Sequence, residues 1–94
     1  MAIETTEFTT NGVSSGSSGF KGLCSLKIVH KGGATGNIQV ESKYPGEANY
    51  SISRDFSNHN VEVNMMTGAS TIEYRFRCVG FTGPGSIYCC LVQA

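Results

Sequence analysis

The sequence predicts an all-β fold: an antiparallel β-sandwich, jelly-roll-like or immunoglobulin-like, of about six to eight short strands with an extended N-terminal arm. Three observations predict it. Apolar residues recur at every second position over most of the chain. Turns carrying glycine or proline separate these runs at about 8–12-residue spacing. Helical periodicity is nearly absent.

The alternation is clearest in Ile72-Glu73-Tyr74-Arg75-Phe76-Arg77-Cys78, where Ile72, Tyr74, Phe76 and Cys78 share the core face and Glu73, Arg75 and Arg77 the other. Residues 59–66 repeat it with Val61, Val63 and Met65 inward, so that Met65-Met66 divides into one core and one exposed or interfacial residue. In residues 36–41 Ile38 and Val40 point inward, and in residues 49–54 Tyr50 and Ile52 do. Residues 23–30 carry Cys24, Leu26 and Ile28 on one face and Leu23 and Val29 on the other. Residues 87–92 are apolar throughout, which suits a strand covered on both sides. Residues 31–36, 44–47, 67–70 and 82–85 are turns, and residues 55–60 another connection.

The N-terminus has a different composition. Asn11-Gly12-Val13-Ser14-Ser15-Gly16-Ser17-Ser18-Gly19 reads as a flexible Gly/Ser linker. Residues 1–21 are therefore expected to be arm and linker, and residues 22–94 the β-sandwich domain. Residues 3–9 of the arm can form a strand that pairs with its own sheet or with a neighbour's edge. Ile3 and Phe8 are its apolar anchors. On this reading, deleting residues 2–12 leaves the domain folded and abolishes assembly.

Composition excludes several function classes. Seven Lys+Arg balance seven Asp+Glu among 94 residues. A nucleic-acid partner is not expected, because nothing supplies the basic face that displaces counterions from phosphates. No apolar run approaches the ~20 residues of a membrane helix, so no membrane partner is expected either. Met1-Ala2-Ile3-Glu4-Thr5 lacks the basic-then-apolar pattern of a secretory signal, which points to folding in a cytosol. A weakly charged, neutral domain has little self-repulsion and tends to associate.

Cys24, Cys78, Cys89 and Cys90 fit no zinc spacing, and His30 and His59 lie far apart in sequence. Free, mostly buried thiols are the leading expectation; one disulfide, Cys78 with Cys24 or Cys89, and a metal site are the alternatives. Neither histidine has a carboxylate or serine beside it in a recognised motif, so no catalytic residue, metal ligand or cofactor is assigned. Residues 80–85 are glycine-rich, but no helix pattern follows to receive a phosphate. Tyr44, Tyr50 and Tyr88 suit packing better than sugar stacking. The stripe of Glu73, Arg75 and Arg77 is either a solvated face or an interface. Arginine is enriched at interfaces, so Arg75 and Arg77 join Ile3 and Phe8 as candidate interface residues.

Residues 34–93 resemble a small β-sandwich that recurs among virion structural proteins of tailed bacteriophages. The likeness rests on Gly36-Asn37-Ile38-Gln39-Val40-Glu41-Ser42, Gly46-Glu47-Ala48-Asn49-Tyr50, Tyr74-Arg75-Phe76-Arg77-Cys78 and Phe81-Thr82-Gly83-Pro84-Gly85-Ser86-Ile87-Tyr88-Cys89. Tyr50 stands where that pattern often has tryptophan, and Ser42 where it has arginine. The resemblance implies a non-enzymatic decoration, cement, collar, fibre or tail component of a virion, assembled in the host cytoplasm. Its partners would be capsid, collar or tail subunits and copies of itself, in a closed two- or three-fold arrangement such as a trimer. The rival expectation is a secreted or surface-exposed binding module of the carbohydrate-binding kind.

Overall fold

The computed structural model describes residues 2–68 and 72–93. Eight strands follow one another: β1 (Ile3–Phe8), β2 (Gly12–Val13), β3 (Leu23–Lys31), β4 (Thr35–Lys43), β5 (Ser51–Phe56), β6 (Val61–Met66), β7 (Glu73–Thr82) and β8 (Ser86–Gln93). No helix occurs among the described residues. The strands make two antiparallel four-stranded sheets, β1-β8-β3-β6 and β2-β7-β4-β5. β1 pairs with β8, β2 with β7, β3 with β6 and β4 with β5. The chain is thus paired as one long hairpin whose tip lies between β4 and β5, with successive rungs alternating between sheets. β3–β8 and β4–β7 pairing completes each sheet.

One hydrophobic cluster draws on both sheets. The first supplies Leu26, Ile28, Ile87, Cys89 and Leu91, the second Ile38, Val40, Tyr74, Phe76 and Cys78. Leu26, Ile28, Ile38, Val40, Tyr74, Phe76 and Cys78 sit on the parity that the alternation assigns to them; within the uniformly apolar residues 87–92, the structure selects Ile87, Cys89 and Leu91 as the inward set. Met65 is buried and Met66 is 70% exposed. The turn expected over residues 67–70 falls partly outside the described residues.

The N-terminal segment forms the expected strand and pairs it with its own sheet, but departs from the expected extended arm and flexible linker. Residues 3–20 lie within the body of the fold and do not extend from it. β1 is the edge strand of the first sheet, in register with β8 from Ile3 opposite Val92 to Phe8 opposite Ile87. Beyond β2 the Gly/Ser stretch keeps company with β7. Ser14 N–H donates to the Phe76 carbonyl, and Ser14 Oγ accepts from Phe76 N–H at 2.9 Å. Ser17 and Tyr74 exchange both backbone bonds. The buried Glu4 accepts from Gly16 N–H at 2.8 Å and from Ser17 Oγ at 2.6 Å, tying β1 to this segment. Phe20 is fully buried, its ring edge-on to Tyr74 at 5.5 Å between centroids. Composition reads this stretch as a linker because serine and glycine solvate well, whereas here their polar groups are taken up by β7 and Glu4.

β5 is also shifted. It starts at Ser51, Ile52 is 55% exposed, and a bulge interrupts its pairing between Val40 and Glu41. The bulge places Ile52 opposite Glu41, which reverses the face that simple alternation gives.

The β7–β8 turn packs against the β3–β4 turn. Gly85 has φ +92°, and a Cβ there would collide with the Lys31 carbonyl oxygen and lie 2.9 Å from Gly32 Cα. Gly85→Ala is therefore expected to destabilise by upwards of about 2 kcal/mol, read as a lower urea midpoint at unchanged slope.

Candidate interaction surfaces

The outer face of the second sheet carries the charged stripe. Arg75 lies opposite Glu41, and Arg77 opposite Gln39, across β4 and β7. Glu41 accepts from both arginines, Arg75 Nε at 2.7 Å and Arg77 Nε at 2.9 Å, and its side chain is only 7% exposed. Burial by itself pushes the Glu41 carboxyl up. The hydrogen bonds and charges of the two guanidinium groups outweigh it and hold the carboxyl below the usual range. The Arg75 guanidinium also lies 3.7 Å from the centre of the Tyr50 ring, and Lys43 Nζ 5.2 Å from it. Tyr50 Oη donates to Glu73. Arg75 is thereby committed to partners within the chain, while Arg77, 38% exposed, stays open to a partner outside.

The outer face of the first sheet mixes apolar and polar side chains, with Ile3, Val92, Leu23 and Met66 gathered toward one end. β8 runs between β1 and β3. Its inward Ile87, Cys89 and Leu91 are fully buried. Its outward Tyr88, Cys90 and Val92 are half-buried, covered only by side chains of the same face. The sequence reads residues 87–92 as covered on both sides, but the fold covers one. Ile3 lies beside Val92, and Leu23 beside Met66; Ile3, Leu23 and Met66 are 50%, 46% and 70% exposed. A shallow depression of about 460 Å³ opens on this face among Ser25, Lys27, Glu62, Asn64, Cys90 and Val92. Lys31 lies 3.8 Å from Glu7 and over the Tyr88 ring.

The four residues singled out from sequence therefore separate. Ile3 is exposed beside Val92 on one sheet; Arg75 and Arg77 share Glu41 on the other. Phe8 is 6% exposed and belongs to the core, so it anchors its own fold and offers nothing to a neighbour. Glu4 and Glu41 escaped the sequence reading, and Tyr50, expected to point inward from a strand, precedes β5 and packs against Arg75 and Lys43 instead. Alternation places Glu41 outward, but which arginines face it is decided by strand order.

The groups with potential chemistry are dispersed. His30 Nδ1 lies 3.1 Å from the Ala34 carbonyl oxygen, and His59 packs edge-on against Phe56. All four cysteines are free thiols, Cys24, Cys78 and Cys89 buried and Cys90 partly exposed. Burial raises the Cys78 pKa; burial, aided by neighbouring thiols, holds that of Cys89 far above the usual thiol range. No three His, Cys, Asp or Glu side chains gather as a metal-holding group among the described residues. The tyrosines do not form one platform. Tyr88 is on the first sheet, Tyr50 is covered by Arg75 and Lys43, and only Tyr44 is freely exposed. Tyr44 borders a second depression, of about 510 Å³, with Lys43, Glu47, Glu73 and Ser18.

No protein family, curated protein or solved structure matches the chain.

Proposed function

We propose that the chain is a non-enzymatic structural subunit of a bacteriophage virion, a jelly-roll β-sandwich that binds or cements other capsid, collar or tail subunits. The observation that carries this reading is the outer face of the first sheet. A central strand there presents Tyr88, Cys90 and Val92 outward, flanked by exposed Ile3, Leu23 and Met66. Exposed apolar patches of this kind mark interaction sites. The pairing of β1 with β8, β2 with β7, β3 with β6 and β4 with β5 supports the jelly-roll reading, an architecture used by viral capsid and lectin domains. The resemblance of residues 34–93 to virion proteins supports the setting. Arg77 at the second sheet offers a polar contact of the kind enriched at interfaces.

The test is co-sedimentation of the purified chain with particles of its phage. The chain is expected to bind. Ile3→Glu with Leu23→Glu is expected to weaken binding about 30-fold, the loss of about 2 kcal/mol at central apolar anchors, with the melting temperature unchanged. Absence of binding, or binding indifferent to both substitutions, contradicts the reading. The second reading, a carbohydrate-binding module at a surface, draws on Tyr44 and its bordering depression. Glycan binding lost on Tyr44→Ala would select it.

A further inference from the structure

We infer that β6 is the edge through which the chain pairs with a second copy of itself, β6 against β6 about a twofold axis. The fold has four sheet edges, and three carry features that block strand addition. β1 points the carboxylate of Glu4 inward. β2 is two residues long and continues only as a glycine- and serine-bearing segment. β5 is bent by its bulge and carries Arg54 and Asp55. β6 has no inward charge and no bulge, and its one charged residue is the outward Glu62: its register with β3 is unbroken from Leu23 opposite Met66 to Ile28 opposite Val61. Among the described residues no strand pairs with its other edge, which presents a row of free backbone groups.

The side chains say what fits there. Val63 lies opposite the buried Leu26 and so faces the interior, yet it is 40% exposed, whereas Val61 and Met65 on the same face are 7% and 3% exposed. The apolar layer is therefore open at the middle of β6. Residues directly opposite in an antiparallel pair share a face, so inward residues must meet inward residues. With Val63 opposite its own counterpart, Val61 meets Met65 and Glu62 meets Asn64. A two-residue slip one way sets Glu62 against Glu62, and like charges directly opposite are unfavourable; the other way sets Glu62 against Met66. The strand is thus self-complementary in one register. A twofold contact uses the same patch on both copies, and a chain of zero net charge brings no repulsion to it.

This contact refines the assembly reading by naming an edge and a partner. It is tested on the purified chain alone, so its failure leaves particle binding standing. Sedimentation velocity across a concentration series is expected to show a species of twice the 10.0 kDa chain mass. Asn64→Glu puts a carboxylate opposite Glu62 at two places in the dimer and is expected to raise the dissociation constant at least about tenfold, with an unchanged thermal melt. Adding Glu62→Lys makes both pairs opposite in charge and is expected to restore the dimer. A chain that stays monomeric at every concentration overturns the inference. So does an oligomer as tight in Asn64→Glu as in the wild type.

Discussion

A chain lacking residues 2–12 is expected to be unfolded, with the far-ultraviolet circular dichroism of a coil and no protection from protease. The deletion removes β1, and with it the ladder to β8 from Ile3 to Phe8. It also removes the Phe8 side chain from the core and the Glu4 carboxylate that holds Gly16 and Ser17. Loss of a buried phenylalanine alone costs about 3–5 kcal/mol. Domains of this size have only about 5–15 kcal/mol in total. Leu91, Cys89 and Ile87 would then sit on an edge strand with one flank stripped. The composition of residues 1–21 suggests the opposite result, a domain that tolerates the deletion and loses only assembly. A folded, protease-resistant product would restore that view and remove β1 from the body of the fold.

Glu41→Ala is expected to destabilise by about 3 kcal/mol. Removing one partner from a buried ion pair costs about 3–5 kcal/mol, and the lower end applies because Arg77 is partly exposed and screened by water. The substitution leaves two guanidinium groups side by side on β7, with no carboxylate between them. Urea unfolding at neutral pH measures the loss. The wild type should show the same dependence through pH. The Glu41 carboxyl is held below its ordinary value when folded. Its stabilisation is therefore fully present above the ordinary glutamate pKa, about 4.3, and fades as pH falls through the lower folded value. Glu41→Ala should flatten that part of the acid-unfolding curve. An unchanged curve would show that the two arginines do not depend on Glu41.

Most of the inner layer was legible because each buried strand has one wet face and one dry face. Tyr74, Phe76 and Cys78 alternate with Glu73, Arg75 and Arg77, and Cys24, Leu26 and Ile28 alternate with polar or exposed residues, so period two reports their burial directly. Three features were not legible. The order of strands is a property of pairing at long range, so the meeting of Glu41 with Arg75 and Arg77 leaves no local trace. The Gly/Ser segment has the composition of a linker, and its order comes from Glu4 and the backbone of β7, which lie elsewhere in sequence. The face of Ile52 is set by a bulge within β5, where Ser53 is left unpaired between Arg54 opposite Val40 and Ile52 opposite Glu41, and strict alternation gives no sign of it. The uniform apolarity of residues 87–92 implies cover on both sides. The chain supplies one cover, and the uncovered row is the surface on which the proposed function rests.

The proposed function is association within a particle. Quantitative mass spectrometry of purified phage particles tests it most directly. The intact chain is expected at a fixed copy number per particle, a small multiple of a symmetric vertex, ring or collar. Particles free of the chain, with the protein present only in the surrounding lysate, would contradict it.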